Sequence, residues 1–342
     1  MPNIVRRSRN VFILVGSILS GIAGFIATVT LKHLIDTPQP LESALPGEAR
    51  LYRWRSCHIF YKVLGTPENP PIVLLHNPGI GASAYEMRHI MENLAQRYSV
   101  YAPDLPGFGL SDRPDIDYTV DTYTDFCHDF LTEVVQMVQR PATLLASGLS
   151  CTYAVEVAYQ FPDTCQQLVL ISPVSLFSSR QVPRAFSALL RVPVLGLSFY
   201  ALSSTRKGLR RVLAGRNPHY RGKLEGQEKQ EKQIQANVEY LFAATHRFGA
   251  EHALLSLWSG KLSRDVTRQF ELVQQPALLI WGTRALQGFH SISNEQQKQR
   301  IPPQTQLAIM RDAGIYVHEQ YPDVVITNIL DWSEMNSDST IL

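Results

Sequence analysis

The sequence predicts an α/β protein whose mostly parallel sheet is covered by helices on both faces and carries a helical cap. The first observation is a series of short apolar runs separated by helix-like segments, which is typical of strands buried on both faces. These runs lie at residues 72–75, 98–103, 143–146, 167–173, 276–282 and 305–310. The second observation is that this rhythm stops between about 174 and 265, where helical and partly basic segments take over. We therefore predict a cap over the carboxyl ends of the strands, the edge at which such sheets bind ligands.

Length and charge restrict the possible function classes. The chain has 342 residues, of which 45% are hydrophobic and 18% are charged, so it can bury a substantial core. The formal net charge of +2 gives no indication of nucleic-acid binding. We expect one folded domain at 51–335, after a proline-containing linker at 32–50 and before a polar tail at 336–342.

The N-terminus precedes the folded domain. Residues 1–10 are basic, and residues 11–31 are uncharged and mostly apolar, which matches the roughly 20 residues that cross a bilayer as a helix. Basic residues before such a segment favour a cytoplasmic N-terminus. We therefore predict a single-pass transmembrane helix at 11–31, with the body on the extracytoplasmic side. The alternative is a cleaved signal peptide, which would leave an exported soluble protein.

The four cysteines do not form a metal-binding pattern. The spacing of Cys57, Cys127, Cys151 and Cys165 matches no zinc motif, and we expect no metal and no other cofactor. Export would permit a disulfide without requiring one. Cys127, Cys151 and Cys165 lie among apolar residues, so buried free thiols are the simpler expectation, and the disulfide pairing stays open.

The remaining elements can be placed in chain order. They are a strand pair at 51–64, a helix after the 76–83 loop, a helix at 119–139 and a final helix from near 319. Asp121 is the expected N-cap of the helix at 119–139.

The strand at 143–146 enters a tight turn and then a helix from near Leu149. In nucleophilic α/β enzymes such a turn carries the attacking side chain in the pattern G-x-S-x-G, beside a backbone N–H for the oxyanion. Here the central position is Gly148, which has no nucleophile.

Several motifs together resemble the α/β-hydrolase superfamily over roughly residues 50–335. They are the apolar strand ending in His76, the run Asp104-Leu-Pro-Gly-Phe-Gly-Leu-Ser-Asp112, the turn at Gly148, the strand ending at Gly282, and the segment from Gly314 to Pro322. The resemblance implies the α/β-hydrolase fold with a helical cap. By analogy with the family it also suggests hydrolysis of ester or acyl-type substrates by a Ser-His-Asp triad.

The positions that the resemblance assigns to this triad hold other residues. Counting from Pro141 and from Pro162 places the nucleophile position at Gly148 in both cases. The position of the acid, three residues after Trp281-Gly, holds Ala285, and the position of the base, after Gly314, holds Ile315. Triad catalysis is therefore expected to be absent.

The oxyanion loop of the family also departs from its pattern here. The resemblance places one oxyanion donor at the N–H of Leu149 and the other in the loop His76-Asn77-Pro78. Proline has no N–H to donate, so Pro78 cannot supply the second donor.

Other side chains near the turn are candidates for the missing chemistry. Ser147 and Ser150 flank Gly148, and His290 follows the strand at 276–282. A Ser150–His290 pair is the best enzymatic alternative, with Ser147 as a second nucleophile. The simpler interpretation of Ser150 is a small helix residue whose hydroxyl bonds the carbonyl four residues back.

The cap suggests a binding role. An apolar segment at 185–202 is followed by a basic one at 206–223, a combination that suits an anionic bilayer or a lipid ligand. The simpler interpretation is a cap whose apolar face covers the cleft and whose basic face is only solvated. We expect a membrane-anchored α/β-hydrolase-fold protein that lacks triad catalysis and binds an apolar small molecule or lipid under the cap, or a protein partner. The alternatives are an active hydrolase that uses Ser150 or Ser147, and a structural assembly factor at the membrane.

Overall fold

An eight-stranded sheet organises the chain in the computed structural model. The structure describes residues 38–136, 141–176, 182–216, 228–286 and 299–337, together with Gly24, Thr28, Leu31 and Ile35. The strands are β1 (Glu48–Trp54), β2 (Cys57–Leu64), β3 (Pro71–Leu75), β4 (Ser99–Pro103), β5 (Ala142–Ser147), β6 (Cys165–Ile171), β7 (Ala277–Gly282) and β8 (Thr305–Met310). Their order is β1-β2-β4-β3-β5-β6-β7-β8, with antiparallel pairing of β1 with β2 and of β2 with β4, and parallel pairing elsewhere. The predicted α/β class with a mostly parallel sheet is confirmed.

Helices connect the strands. A 3₁₀ turn at Ala84–His89 precedes α1 (Met91–Leu94), and α2 (Val120–Phe130) and α3 (Ser150–Gln160) flank β5 along the chain. Between β6 and β7 the described residues form α4 (Arg184–Leu190), α5 (Pro193–Ser203), α6 (Arg206–Arg216), α7 (Glu228–Thr245), α8 (Ala250–Trp258) and α9 (Thr267–Leu272). The last helices are α10 (Thr283–Leu286), α11 (Val317–Gln320) and α12 (Pro322–Ser337). The helices between β6 and β7 occupy the region in which the sequence predicts the cap.

The continuous apolar runs are explained by burial on both faces of the sheet. Along β3, Val73 and Leu75 belong to one buried apolar cluster, whereas Ile72 and Leu74 belong to a second cluster on the other side. Successive side chains of a strand point to opposite faces, so a strand with helices on both sides has no position for polar residues. A third apolar cluster, which includes Tyr200, lies between the cap helices.

The start of α2 differs from the prediction. The hydroxyl of Thr119 accepts a hydrogen bond from the N–H of Thr122 at 3.2 Å, so Thr119 is the N-cap. Thr119 has the extended backbone that a capping residue needs. Asp121 is the second residue of the helix, and its carboxylate pairs with Arg264 instead.

Most of the predicted transmembrane segment at 11–31 lies outside the described residues. Gly24, Thr28 and Leu31 are helical, and the Thr28 hydroxyl donates to the carbonyl of Gly24 at 2.8 Å. No single helix within the described ranges is long and apolar enough to cross a membrane, and the bent pair of α4 and α5 passes that test only when its two helices are taken together. The anchor stays a prediction.

Candidate functional site

The turn after β5 lies at the point where the order of the strands in the sheet reverses. β3 lies between β4 and β5 in the sheet. The chain runs from β3 to β4 on one side and then crosses to β5 on the other side, so the loops after β3 and β5 diverge between these two strands. Parallel sheets bind ligands at such a switch point. Gly148 occupies the turn with φ +58°, and its N–H donates to the carbonyl of Ile171 at 2.8 Å. This left-handed conformation favours glycine, because a side chain there is strained.

The side chain of Asn77 packs directly on Gly148. A Cβ atom at position 148 would lie 2.5 Å from Oδ1 of Asn77 and 2.6 Å from its Cγ, well inside van der Waals contact. Asn77 Oδ1 accepts a hydrogen bond from the N–H of Leu149 at 2.9 Å, and Asn77 Nδ2 donates to the hydroxyl of Tyr316 at 2.9 Å. The Asn77 amide therefore links the loops after β3, β5 and β8, and it occupies the space in which a side chain at position 148 would stand.

Neither backbone donor of the predicted oxyanion loop is free. The N–H of Leu149 is taken by Asn77 Oδ1, and the N–H of Asn77 donates to Glu86 Oε2 at 3.1 Å. Pro78 has no N–H. An oxyanion hole requires donors aimed at the place where negative charge develops, and here these donors already have acceptors within the protein.

A buried group of charged side chains supports this arrangement. Glu86 Oε1 lies 3.1 Å from Nε2 of the fully buried His318, an ion-pair distance without the geometry of a hydrogen bond. Burial by itself raises the pKa of Glu86, but His318 and the nearby Arg216 outweigh burial and hold the pKa below its ordinary value of 4.5. Arg88 pairs with Glu319 at 2.9 Å, and both side chains are largely buried. The Arg88–Glu319 ion pair joins the turn at 84–89 to α11, and the contact of Glu86 with His318 joins the same two segments.

Arg216 and Tyr316 lie next to this group. The guanidinium carbon of Arg216 is 4.9 Å from the centre of the Tyr316 ring. Burial by itself lowers the pKa of Arg216, but Tyr316, Glu319 and Glu86 outweigh burial and raise the pKa above its ordinary value. Burial also raises the pKa of Tyr316, which keeps the phenol protonated when it accepts from Asn77.

His76 connects two loops and is not placed as a base. Its ring is fully buried, Nε2 accepts from the N–H of Leu105 at 3.0 Å, and Nδ1 lies 3.4 Å from the carbonyl of Asn77. Burial is the main cause that lowers the pKa of His76, so the ring is neutral at neutral pH. His76 fixes the loop after β3 to the loop after β4.

The two candidate serines are buried and are not paired with a histidine side chain within the described residues. The Ser150 hydroxyl donates to the carbonyl of His76 at 2.6 Å. The expected bond to the carbonyl four residues back is therefore wrong, because Ser150 lies in the first turn of α3 and faces the loop after β3. The Ser147 hydroxyl is buried and has no hydrogen-bond partner in the described part of the chain. His290 lies outside the described residues, so its pairing with Ser150 stays a prediction.

The positions after β7 and β8 hold apolar side chains. Ala285 lies in α10 and is buried in the same apolar cluster as Leu149, and Ile315 packs against that cluster. The N–H of Arg284 donates to the carbonyl of Ala313 at 2.9 Å, which joins the two loops. Neither Ala285 nor Ile315 offers a group that accepts or donates a proton.

The cysteines are free and buried. Cys151 Sγ contacts the carbonyl of Ala146 at 3.2 Å, and burial raises the pKa of the Cys151 thiol well above its ordinary value. A reactive cysteine needs a lowered pKa and access to solvent, and Cys151 has neither. No cluster of His, Cys, Asp or Glu suited to a metal ion occurs among the residues that the structure describes.

Sequence reasoning missed the role of three residues. The sequence pattern indicates a role only for the backbone of Asn77 and assigns none to Tyr316 or Glu86. The available signal is Asn77 itself, because a side chain directly after His76 must find space beside the turn at Gly148. Its contacts with Leu149 and Tyr316 join residues 72 and 239 positions apart, and sequence spacing does not predict such contacts.

The comparisons with known proteins agree with this architecture. An uncharacterised protein of Mycobacterium tuberculosis is 26% identical over 270 residues, which are 77% of this chain and 74% of the relative. The 2-(acetamidomethylene)succinate hydrolase of Mesorhizobium japonicum is 23% identical over 76% of this chain and 88% of its own length. The crystal structure of a bacterial membrane phospholipase A has a TM-score of 0.63 at 18% identity, and the match covers 96% of this chain and 98% of that chain. The pattern of the alpha/beta hydrolase family matches residues 72–327, so the chain belongs to this family.

Proposed function

We propose that this protein is a non-catalytic member of the alpha/beta hydrolase family that acts by binding and is held at a membrane by residues 11–31. In this proposal Gly148, Ala285 and Ile315 stand at the positions of the nucleophile, the acid and the base. None of the three side chains can take part in acyl transfer, which needs a nucleophile activated by an oriented base.

The contact between Asn77 and Gly148 carries the proposal. A working site needs a side chain at position 148 and a free N–H at Leu149. Asn77 occupies the first space and uses the second group, at 2.9 Å from Oδ1 to the Leu149 nitrogen. The side chain of Asn77 therefore prevents both requirements from being met, and its own position is fixed by its hydrogen bond to Tyr316.

The proposed binding role involves the cap helices and the loops beneath them. A cavity of about 20 Å³ lies between the turn at 84–89 and α7, bordered by Tyr85, Arg216 and Tyr240, and it has room for about one water molecule. A larger apolar ligand in that cavity would require the cap helices to shift. A protein partner would instead use the outside of the cap.

Fluorophosphonate labelling of the folded full-length protein, with mass-spectrometric mapping of any adduct, tests the absence of catalysis. We expect no adduct at Ser147 or Ser150, under conditions in which an active hydrolase of the family is fully labelled. Ser150→Ala and Ser147→Ala are the matched controls. An adduct at Ser150 that disappears in Ser150→Ala would show a working nucleophile and refute the proposal.

The anchor is tested separately. The mass of the protein extracted from membranes should correspond to a chain that retains residues 11–31, and alkaline carbonate should not release it. A shorter soluble product with a new N-terminus after residue 20 would establish the cleaved signal peptide instead.

A further inference from the structure

Helices α4 and α5 expose a row of large apolar side chains. Leu189, Val192, Val194, Phe199 and Leu202 are exposed, with Val194 at 64%. The rings of Phe186 on α4 and Phe199 on α5 pack edge to face, with their centres 5.6 Å apart. The two helices therefore contribute to one surface, which we call the α4–α5 surface. Single exposed apolar residues are ordinary, whereas several on two adjoining helices favour an interaction site.

The segment that carries the α4–α5 surface is basic. The segment 182–216 contains arginines and a lysine and no acidic residue. Arg206 and Arg210 are paired with Glu239 and Glu231 of α7, and Arg216 is buried. The basic side chains that are exposed and form no ion pair with any described residue are Arg184, Arg191, Lys207 and Arg211.

We propose that the α4–α5 surface and these four basic side chains dock on an anionic lipid bilayer. Apolar side chains that enter the interfacial region and cations that face lipid phosphates are the two components of interfacial membrane binding. A second copy of this chain would bring the same four cations to the interface, and their repulsion disfavours that occupant. The inference rests neither on the catalytic state of the turn at Gly148 nor on the anchor at 11–31.

The geometry fits a helix pair that lies on the membrane and does not cross it. α4 and α5 are bent by 93° with respect to each other, and Arg191 stands at the bend, where a charge would be costly inside a bilayer. The other side of α5 is committed to the protein, since Tyr200 and Ala201 are buried and Tyr200 packs near Trp258 of α8. Only the outer side of the pair is available to lipid.

A fluorescent label on the full-length protein in vesicles tests this docking. Val194→Cys carries an environment-sensitive fluorophore, and the native thiols do not compete because all four are buried. The control position is Met335→Cys on α12, which is also exposed. The neighbouring Ser333 and Glu334 border a groove with Pro70 and Thr143 at the amino ends of the strands, opposite the cap.

We expect the label at position 194 to shift to the blue and to be quenched by spin-labelled lipids in vesicles that contain phosphatidylglycerol, but not in pure phosphatidylcholine. The label at position 335 should not respond in either. Reversing Arg191 and Lys207 to glutamate should lower the ratio of docked to undocked protein by at least roughly 25-fold, since each basic residue near such a surface contributes about fivefold. Arg268→Glu with Arg311→Glu changes the net charge equally and should leave the ratio unchanged.

Three results would overturn the inference. They are equal emission at position 194 in both lipids, an equal loss of docking in the two charge-reversal variants, and a blue shift that grows with protein concentration in neutral detergent without lipid. The last result would assign the surface to a second copy of the chain. Circular dichroism of each variant excludes loss of fold as the cause. Fluorophosphonate labelling is read independently, so failure of docking leaves the proposed function untouched.

Discussion

The packing of Asn77 on Gly148 predicts a specific energetic coupling between the two positions. The perturbation is Gly148→Ala, made in the wild-type chain and in an Asn77→Ala background. In the wild-type background the alanine must keep the backbone of residue 148 at φ +58°. Its Cβ would also lie 2.5 Å from Oδ1 of Asn77 and would displace the Asn77 amide. With Asn77→Ala the steric conflict disappears and only the backbone strain is left.

The structure gives the size of each effect. A left-handed conformation costs a residue with a side chain about 1–2 kcal/mol. Overpacking against Asn77 adds about 1–3 kcal/mol, so Gly148→Ala should lower the free energy of unfolding by about 2–5 kcal/mol in the wild type. In the Asn77→Ala background the same change should cost only about 1–2 kcal/mol. The expected coupling energy is therefore about 1–3 kcal/mol, larger than the roughly 0.5 kcal/mol scatter of independent sites.

Chemical denaturation of the detergent-solubilised full-length chain measures these four free energies. Gly249 provides the control, because it also has a positive φ of +75°, but a Cβ there would meet the carbonyl oxygen of Arg113 at 2.6 Å and not Asn77. Gly249→Ala should cost the same in both backgrounds. If Gly148→Ala is also additive with Asn77→Ala, the Asn77 side chain does not occupy the turn in solution, and the main support for the proposed function is lost.

Three further results are expected. Ser150→Ala should lower the free energy of unfolding by about 1–2 kcal/mol, because the buried carbonyl of His76 loses its donor. Ser147→Ala should not lower the free energy of unfolding, because its buried hydroxyl has no hydrogen bond to lose within the described residues, and a clear destabilisation at Ser147 would contradict the hydrogen bonds described. The pKa of Glu86 is lower in the folded state than in the unfolded state, so the unfolded state takes up its proton first and stability should fall as the pH drops below about 4.5. Denaturation curves of Glu86→Gln across this range should show a shallower loss, and an unchanged slope would be evidence against the pKa shift. Iodoacetamide should modify none of the four cysteines before unfolding, which are Cys57, Cys127, Cys151 and Cys165. Burial raises the pKa of each thiol, that of Cys165 to about 12. Rapid labelling of the native protein would contradict their burial.

The fold could be predicted from the sequence because its signals are local. Continuous apolar runs such as 72–75 and 143–146 identify strands that are buried on both faces, and their alternation with helices determines the sheet type. The N-cap of α2 shows the limit of such reasoning. Asp121 and Thr119 are both good capping residues, and the choice depends on which one has extended backbone when the helix packs.

The interior of the site could be predicted only in part. The position of Gly148 follows from spacing along the chain, since a strand, a turn and a helix are consecutive there. The bond of Ser150 to the His76 carbonyl joins residues 74 positions apart. Such contacts depend on how the loops after different strands meet at the edge of the sheet, and the amino-acid pattern of any one loop does not contain that information.

The contacts at the turn also explain why glycine at position 148 and asparagine at position 77 suit each other. Without a side chain at 148, the N–H of Leu149 would face an unfilled space, and a buried donor without a partner costs about 1–3 kcal/mol. Asn77 supplies the acceptor, fills the space and is held in turn by Tyr316. Active sites commonly retain unsatisfied or strained groups that the reaction uses, at a cost in stability. Here the N–H groups of Leu149 and Asn77 are satisfied within the protein. If the proposed assignment of positions 148, 285 and 315 is right, hydrolysis would require Gly148→Ser, removal of the Asn77 side chain, and an acid and a base at positions 285 and 315, so no single substitution is expected to produce it.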